Sequence, residues 1–322
     1  MKNRTILVIG ASGQLGSELT QALIDRHGSA HVLAADLREP MVSLPEGNFC
    51  LLDVLDKNQL RKIITEREVG EIYHLAAVLS ASGERDPLFA WHLNMDSLIN
   101  VLEAAKSAGV RKVFWPSSIA VFGPNTPKDN TPQDTIMDPT TIYGISKLAG
   151  ERLCEWYFNK YGIDVRSLRY PGLIGYKHPP GGGTTDYAVE IFIKALTERR
   201  FTCFLQPDTA LPMMYMEDAI KATLDLMDAP ADRITVRSSY NITAMSFSPA
   251  DIAAEIRKHL PDFTITYEPD FRQAIANSWP RSIDDERARR DWGWKPAFTL
   301  GRMVGEIVNQ LPALLKQSAS SH

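Results

Sequence analysis

Thr5-Ile6-Leu7-Val8-Ile9-Gly10-Ala11-Ser12-Gly13-Gln14-Leu15-Gly16 is the stretch that decides the fold. Ile6 to Ile9 is a continuous apolar run, the pattern of a parallel strand buried on both faces. It ends at Gly10, and the glycines then follow the spacing G-x-x-G-x-x-G, while Gln14 to Arg26 has helical spacing. Glycines between a strand and a helix allow a tight turn and close backbone approach to a pyrophosphate, whose charge is held by N–H groups at the helix N-terminus. Gly10, Ser12, Gly13, Gln14, Leu15 and Gly16 are therefore the candidate cradle of a dinucleotide. A flexible glycine-rich turn would satisfy the spacing alone; the flanking strand and helix favour the dinucleotide.

Working outward, a second apolar run, His31 to Ala35, ends at Asp36, 20 residues past Gly16. A carboxylate there can accept both ribose hydroxyls and repel a 2′-phosphate, so NAD is expected over NADP. Arg38 is the one contrary feature, since an arginine nearby can accommodate a phosphate. A third run, Phe49 to Leu52, ends at Asp53-Val54, placed to meet adenine, although an ordinary strand-ending Asp fits the spacing nearly as well. Lys57 to Glu66 reads as helix, Glu71 to Leu75 as strand, Leu88 to Ala108 as one long helix stopped by Gly109, and Lys112 to Trp115 as strand. Ile142 to Tyr161 is again helical and Val165 to Leu168 a strand. Repeated βα units predict an α/β, doubly wound parallel sheet of the Rossmann type, with ligands at the carboxyl ends of its strands.

After Tyr170 the rhythm breaks at Pro171-Gly172 and at Pro179-Pro180-Gly181-Gly182-Gly183. The expected division is a dinucleotide-binding domain over 1–170 and a smaller C-terminal α/β substrate lobe over 171–322, with the chain free to cross back to the sheet. The tail after Lys316 reads as frayed. The composition is that of an ordinary folded protein: 322 residues, 44% hydrophobic and 23% charged. A net charge of -4, with 35 basic and 39 acidic residues mixed along the chain, gives no footprint for nucleic acid or an anionic membrane. Cys50, Cys154 and Cys203 form no C-x-x-C pair, and no apolar stretch reaches about 18 residues, which points to a cytoplasmic protein, or a mitochondrial matrix one if a leader was removed. A small-molecule partner is expected.

Tyr143-Gly144-Ile145-Ser146-Lys147 puts a phenol and an ammonium four residues apart on one helix face. Ser117-Ser118, at a strand end about 25 residues earlier, stands where a doubly wound fold presents catalytic groups. To oxidise an alcohol, a base must take the hydroxyl proton as hydride leaves the carbon, yet free tyrosine has a pKa of about 10. A cation about 4 Å away, at an effective dielectric near 20, favours the phenolate by about 4 kcal/mol, or at most about three pKa units. Lys147 together with oxidised nicotinamide can supply that field. Ser118 can donate to the substrate oxygen, with Ser117 as its less suited neighbour.

These residues, with His74-Leu75-Ala76-Ala77 and Asn94, resemble the extended short-chain dehydrogenase/reductase family. The resemblance implies NAD along Gly10 to Gly16, Asp36, Asp53-Val54, Leu75-Ala76-Ala77, Asn94 and Tyr170, with Lys147 also holding the nicotinamide ribose. His74 reads as a strand residue beside the cofactor rather than a metal ligand or base, and no metal is called for. The run Arg169-Tyr170-Pro171-Gly172 is similar to the R-Y-F-N segment of UDP-galactose epimerases, with Gly172 where the nucleotide-contacting Asn would stand. Tyr170 to Tyr176, Pro180-Gly181-Gly182-Gly183-Thr184-Thr185-Asp186-Tyr187 and Ser278-Trp279-Pro280-Arg281-Ser282-Ile283-Asp284-Asp285 closely resemble the epimerase-like L-threonine 3-dehydrogenases of that family. That likeness implies NAD-dependent oxidation of L-threonine to 2-amino-3-oxobutyrate in threonine catabolism. It also implies a ligase using coenzyme A as metabolic partner, and a homodimer through the helices Leu88 to Ala108 and Ile142 to Tyr161.

Read independently, Gly183, Thr185 and Asp186 belong to a loop carrying hydroxyls and a carboxylate, suited to a small zwitterion. The same residues suit a surface turn with Asp186 as a helix N-cap. Trp279 could wall the pocket against a substrate methyl or only pack a loop, and Ser80 lies near enough to the cleft to touch substrate. Two rival readings stay open: a UDP-sugar 4-epimerase, and an NAD-sensing protein without turnover.

Overall fold

Ile6, Leu7, Val8 and Ile9 are 7%, 0%, 0% and 1% exposed, so the opening run is covered on both faces. The structure, a computed structural model, describes residues 4–40, 44–178 and 181–320. Six parallel strands form the central sheet in the spatial order Phe49–Leu51, Val32–Asp36, Thr5–Ile9, Val69–His74, Lys112–Phe114 and Asp164–Arg166. The side-chain alternation of the first strand sends its residues to two cores. Ile6 and Val8 pack with Leu19 and Leu23 of helix Gln14–His27 and with Ala219 and Leu226 of helix Met216–Asp228. Leu7 and Ile9 pack with Leu60 of helix Lys57–Glu66, Leu98 of helix Ser97–Ala108 and Cys154 of helix Ile142–Tyr161. Helices on both faces make the sheet doubly wound, as predicted. Strand order reverses between Thr5–Ile9 and Val69–His74, the crevice where such sheets bind ligands.

Two elements differ from the sequence reading. The single helix expected over Leu88 to Ala108 starts at Pro87 and is divided, with Pro87–Trp91 passing through a π-helical turn, His92–Asp96, into Ser97–Ala108. A π turn keeps the apolar spacing of its flanks and changes only where one side chain points, so periodicity passes over it. The tail does not fray at Lys316, because helix Leu300–Ser320 continues past it. Each added residue costs little once the preceding turns are docked. Pro179 and Pro180 lie outside the described residues.

Beyond the sheet, the chain places short strands where the site will be built. Ser117–Ser118 and Tyr240–Asn241 both run parallel to Leu168–Tyr170, so residues from the second half of the chain lie beside the sheet. Gly172–Ile174 pairs in parallel with Leu211–Tyr215, which pairs antiparallel with Met245–Phe247, and a separate core forms around Tyr187, Phe192, Met213 and Trp279. Among the described residues no helix is long and apolar enough to cross a membrane.

Candidate active site

A cleft of roughly 400 Å3 opens at the carboxyl ends of the strands, with Gly10, Gly13, Leu75 and Ala77 on one side, Ser118, Tyr143 and Lys147 at its centre, and Gly183, Thr185, Asp186 and Trp279 opposite. A larger groove, roughly 670 Å3, lies at the amino ends of the strands between Arg4, Glu68, Ser107 and Arg111, and holds none of the groups singled out in the sequence.

The glycine turn is forced by its neighbours. Gly10 has φ +84°, and a Cβ on it would stand 2.6 Å from the Ala76 amide nitrogen, so this backbone can pass the strand end only as glycine. Gly10 N–H donates to Ala35 O and Leu75 N–H to Ile9 O, which locks the turn between its two neighbouring strands. Helix Gln14–His27 starts at Gly13 with no side-chain cap and no acidic residue in its first turn, the arrangement that leaves the helix end to an anion. The Asp36 carboxylate accepts the Ser12 N–H at 2.9 Å and the Arg38 N–H at 3.3 Å, so its orientation is fixed at the end of its strand. These residues fit the diphosphate and ribose of a dinucleotide. Asp53 is exposed and its Oδ1 accepts the Leu55 N–H, while Val54 is buried; neither lines the cleft.

Tyr143 meets Ser118 because its helix comes close to the strand end. Thr141 caps that helix by accepting the Gly144 N–H, and a Cβ on Gly144 would stand 2.1 Å from Ala120 O. Ser118 Oγ accepts the Ala120 N–H at 3.2 Å and is hydrogen-bonded to the Tyr143 phenol. Ser117 turns away and donates to Glu151 Oε1 at 2.6 Å, within a buried pair of Glu151 and Arg169. Lys147 Nζ donates to Pro116 O at 2.7 Å, 4.5 Å above the Trp115 ring and 5.5 Å from the Tyr143 ring centroid.

Without cofactor, burial governs both groups. It pushes the Tyr143 phenol up to about 12, a rise only opposed by the hydrogen bond with Ser118. It pushes the Lys147 ammonium down to about 7, with the Glu151 charge working the other way. The lowering of the phenol expected from Lys147 is not present in the protein alone, where burial of Tyr143 outweighs its other influences. His74 is buried and pushed down to about 3, first by burial and then by Lys147, so it is neutral at working pH; its Nε2 meets Ser97 Oγ at 2.9 Å.

Asn94 and Tyr170 also hold the structure around the cleft. From the π turn, Asn94 accepts the Val78 N–H and donates to Val78 O and Ser146 Oγ, so its amide is used in tying the Val78 loop to the Tyr143 helix, behind the cleft. Tyr170 lines the cleft, but its hydroxyl bonds Thr223 in the core. On the opposite wall Ser80 Oγ meets the buried Thr184 Oγ1 at 3.2 Å, a partner that sequence spacing does not reveal. Asp186 stands at the N-cap of helix Tyr187–Glu198 without capping it; its Oδ2 accepts the Gly182 and Gly183 N–H groups, each at 2.8 Å. Burial raises the Asp186 pKa, opposed by those two amides and by Arg272. Trp279 is buried in the far wall.

Gly172 lies on this wall with no room for a side chain. A Cβ there would stand 2.3 Å from Met213 Sδ and 2.8 Å from Thr185 Cγ2.

Comparison with known proteins agrees with this geometry. Residues 6–243 match the family described as NAD dependent epimerase/dehydratase. An uncharacterized epimerase/dehydratase of Staphylococcus haemolyticus is 48% identical over 302 residues, 93% of this chain and 95% of the relative. Among solved structures, the holo form of the GalE-like L-threonine dehydrogenase from Cupriavidus necator superposes with a TM-score of 0.93 at 55% identity, covering 95% of this chain and 99% of that one. L-threonine dehydrogenase from Phytophthora infestans gives a TM-score of 0.93 at 50% identity, covering 96% and 99%.

Proposed function

The chain belongs to the NAD dependent epimerase/dehydratase family, and we propose that within it this protein oxidises L-threonine at its β-carbon to 2-amino-3-oxobutyrate, with NAD as acceptor. The observation that carries the reading is the wall facing Tyr143. Thr185 and Met213 fill the space a side chain at position 172 would need, so no asparagine can reach a nucleotide from there. What the wall offers instead is hydroxyls and a carboxylate, the complement of a small zwitterion.

Bound NAD would take the hydride from the β-carbon and bring a positive charge beside the phenol. Tyr143 takes the hydroxyl proton, Ser118 donates to the same oxygen and holds it in line, and Lys147 keeps an ammonium near the phenol while reaching the ribose. Hydroxyls of Ser80 and Thr185 receive the carboxylate, with the Gly183 backbone beside them; Asp186 faces the ammonium, and Trp279 packs on the methyl. Asp36 would accept the adenosine ribose hydroxyls of the bound cofactor, which would make NAD the preferred partner over NADP. The β-keto acid formed is consumed by a ligase using coenzyme A, which places the reaction in threonine catabolism.

We also propose a homodimer. Leu88 is 82% exposed and Trp156 45%, with Phe89, Trp91 and Ile145 exposed on the same two helical stretches, more apolar surface than scattered residues account for.

Purified protein mixed with NAD and L-threonine should form NADH at a saturable initial rate, with a much lower rate when NADP replaces NAD. Conversion of UDP-galactose without net NADH, and no reduction with L-threonine, would refute the reading.

A further inference from the structure

Gly172 and Thr185 both line the cleft, and the geometry points to Gly172 as a positioning residue that sets the direction of the Thr185 hydroxyl and so the affinity for the amino-acid substrate. The inference rests on the reaction proposed above. Gly172 belongs to strand Gly172–Ile174 and pairs with Met213 across the ladder, so its backbone is held from the side away from the cleft. Thr185 comes from the loop that lines the cleft, and its methyl is seated over the Gly172 Cα; a Cβ on Gly172 would stand 2.3 Å from Met213 Sδ, the end of a flexible side chain, 2.8 Å from Thr185 Cγ2 and 3.0 Å from Thr185 Cβ.

Threonine is branched at Cβ, so fixing its methyl fixes its hydroxyl. Thr185 O accepts the Ala188 N–H, which anchors its backbone to the following helix. Among the described residues the Thr185 hydroxyl has no protein partner, although it belongs to a residue of the cleft wall. A hydroxyl that is oriented by packing and free of other bonds is available to a ligand. Position 172 thus acts through a missing methyl: a side chain there overlaps both Met213 Sδ and the Thr185 methyl, and once the flexible Met213 side chain has moved aside the methyl must still shift, turning or displacing the hydroxyl.

The test is a double-substitution cycle on the full-length protein, with NADH formation from L-threonine as readout. Gly172→Ala should raise KM for L-threonine at least tenfold, with kcat within about threefold and NADH affinity within twofold. Thr185→Ser keeps the hydroxyl but loses the methyl that fixes it, and should raise KM for L-threonine about two- to fivefold, less than Gly172→Ala does. The double substitution Gly172→Ala with Thr185→Ser should recover most of the lost affinity. Should Gly172→Ala fail to fold, Thr185→Val, which keeps a methyl and loses the hydroxyl, should raise KM tenfold where Thr185→Ser does not. An unchanged KM in folded Gly172→Ala, a double variant no better than the single one, or Thr185→Val equal to the parent overturns the inference while leaving the reaction in place. A parent protein that forms no NADH with L-threonine overturns both.

Discussion

Replacing Gly13 by alanine tests the cofactor cradle with little effect on the fold. Gly13 has φ -81° and ψ 173°, ordinary extended backbone for alanine, and a Cβ there would meet nothing nearer than Gly10 O at 3.4 Å. The change restricts the unfolded chain, a gain of about 0.4–1 kcal/mol, and replaces glycine by a poorer N-cap, a loss of similar size. Net stability should stay within about 1 kcal/mol, or roughly 3 °C in Tm. The added methyl faces the start of helix Gln14–His27, where the diphosphate would lie. Displacing one backbone hydrogen bond to a charged phosphate costs about 1.5–3 kcal/mol, so NADH should bind about 10- to 100-fold more weakly.

Gly16→Ala is the contrast, since its Cβ would stand 2.1 Å from Gly10 O and 2.9 Å from Ala11 Cα, backbone on both counts. It should lower Tm by several degrees, because rigid overlap of this kind costs about 1–3 kcal/mol. NADH fluorescence titration and thermal unfolding of the three proteins decide the matter. If Gly13→Ala binds NADH within twofold of the parent, or loses as much Tm as Gly16→Ala, the argument that Gly13 is kept clear for the cofactor is wrong.

Three further outcomes follow from the same structure. Because burial raises the Tyr143 phenol, its ionised form is the minor one at neutral pH and grows as pH rises, so kcat/KM should climb from pH 6 toward pH 9; Tyr143→Phe should lower kcat at least a hundredfold with NADH affinity kept, and surviving turnover would exclude Tyr143 as the base. Trp156→Asp, placed on the exposed face of helix Ile142–Tyr161, should convert the dimer to a monomer in light scattering, and a parent that runs as a monomer removes the dimer proposal.

What the sequence could reveal was whatever depends on near neighbours. The first strand, the glycine turn, the acidic end of Val32–Asp36 and the Tyr143/Lys147 spacing each follow from periodicity or from an offset of a few residues, and the structure has them in the expected places. The contacts that were not legible share a cause. Asn94 resembles a cofactor contact, yet its amide is consumed by Val78 and Ser146, 16 and 52 residues away, through a π turn that periodicity does not register. Asp186 was open to two roles, and its carboxylate takes a further one, bracing the Gly182 and Gly183 amides beside the cleft.

Glycine shows the limit best, because one letter stands here for three separate physical demands. At Gly16 the demand is backbone packing, legible from the motif. At Gly13 the fold makes no steric demand, and the proposed approach of a cofactor diphosphate is what the Gly13→Ala variant tests. At Gly172 the demand comes from the methyl of Thr185 and the sulfur of Met213, brought there by a loop and a strand that no spacing rule connects. The departure from R-Y-F-N at that position is therefore more than a missing nucleotide contact. It leaves the space that the Thr185 methyl and the Met213 sulfur occupy beside the cleft, the packing contact on which the proposed positioning of the Thr185 hydroxyl rests.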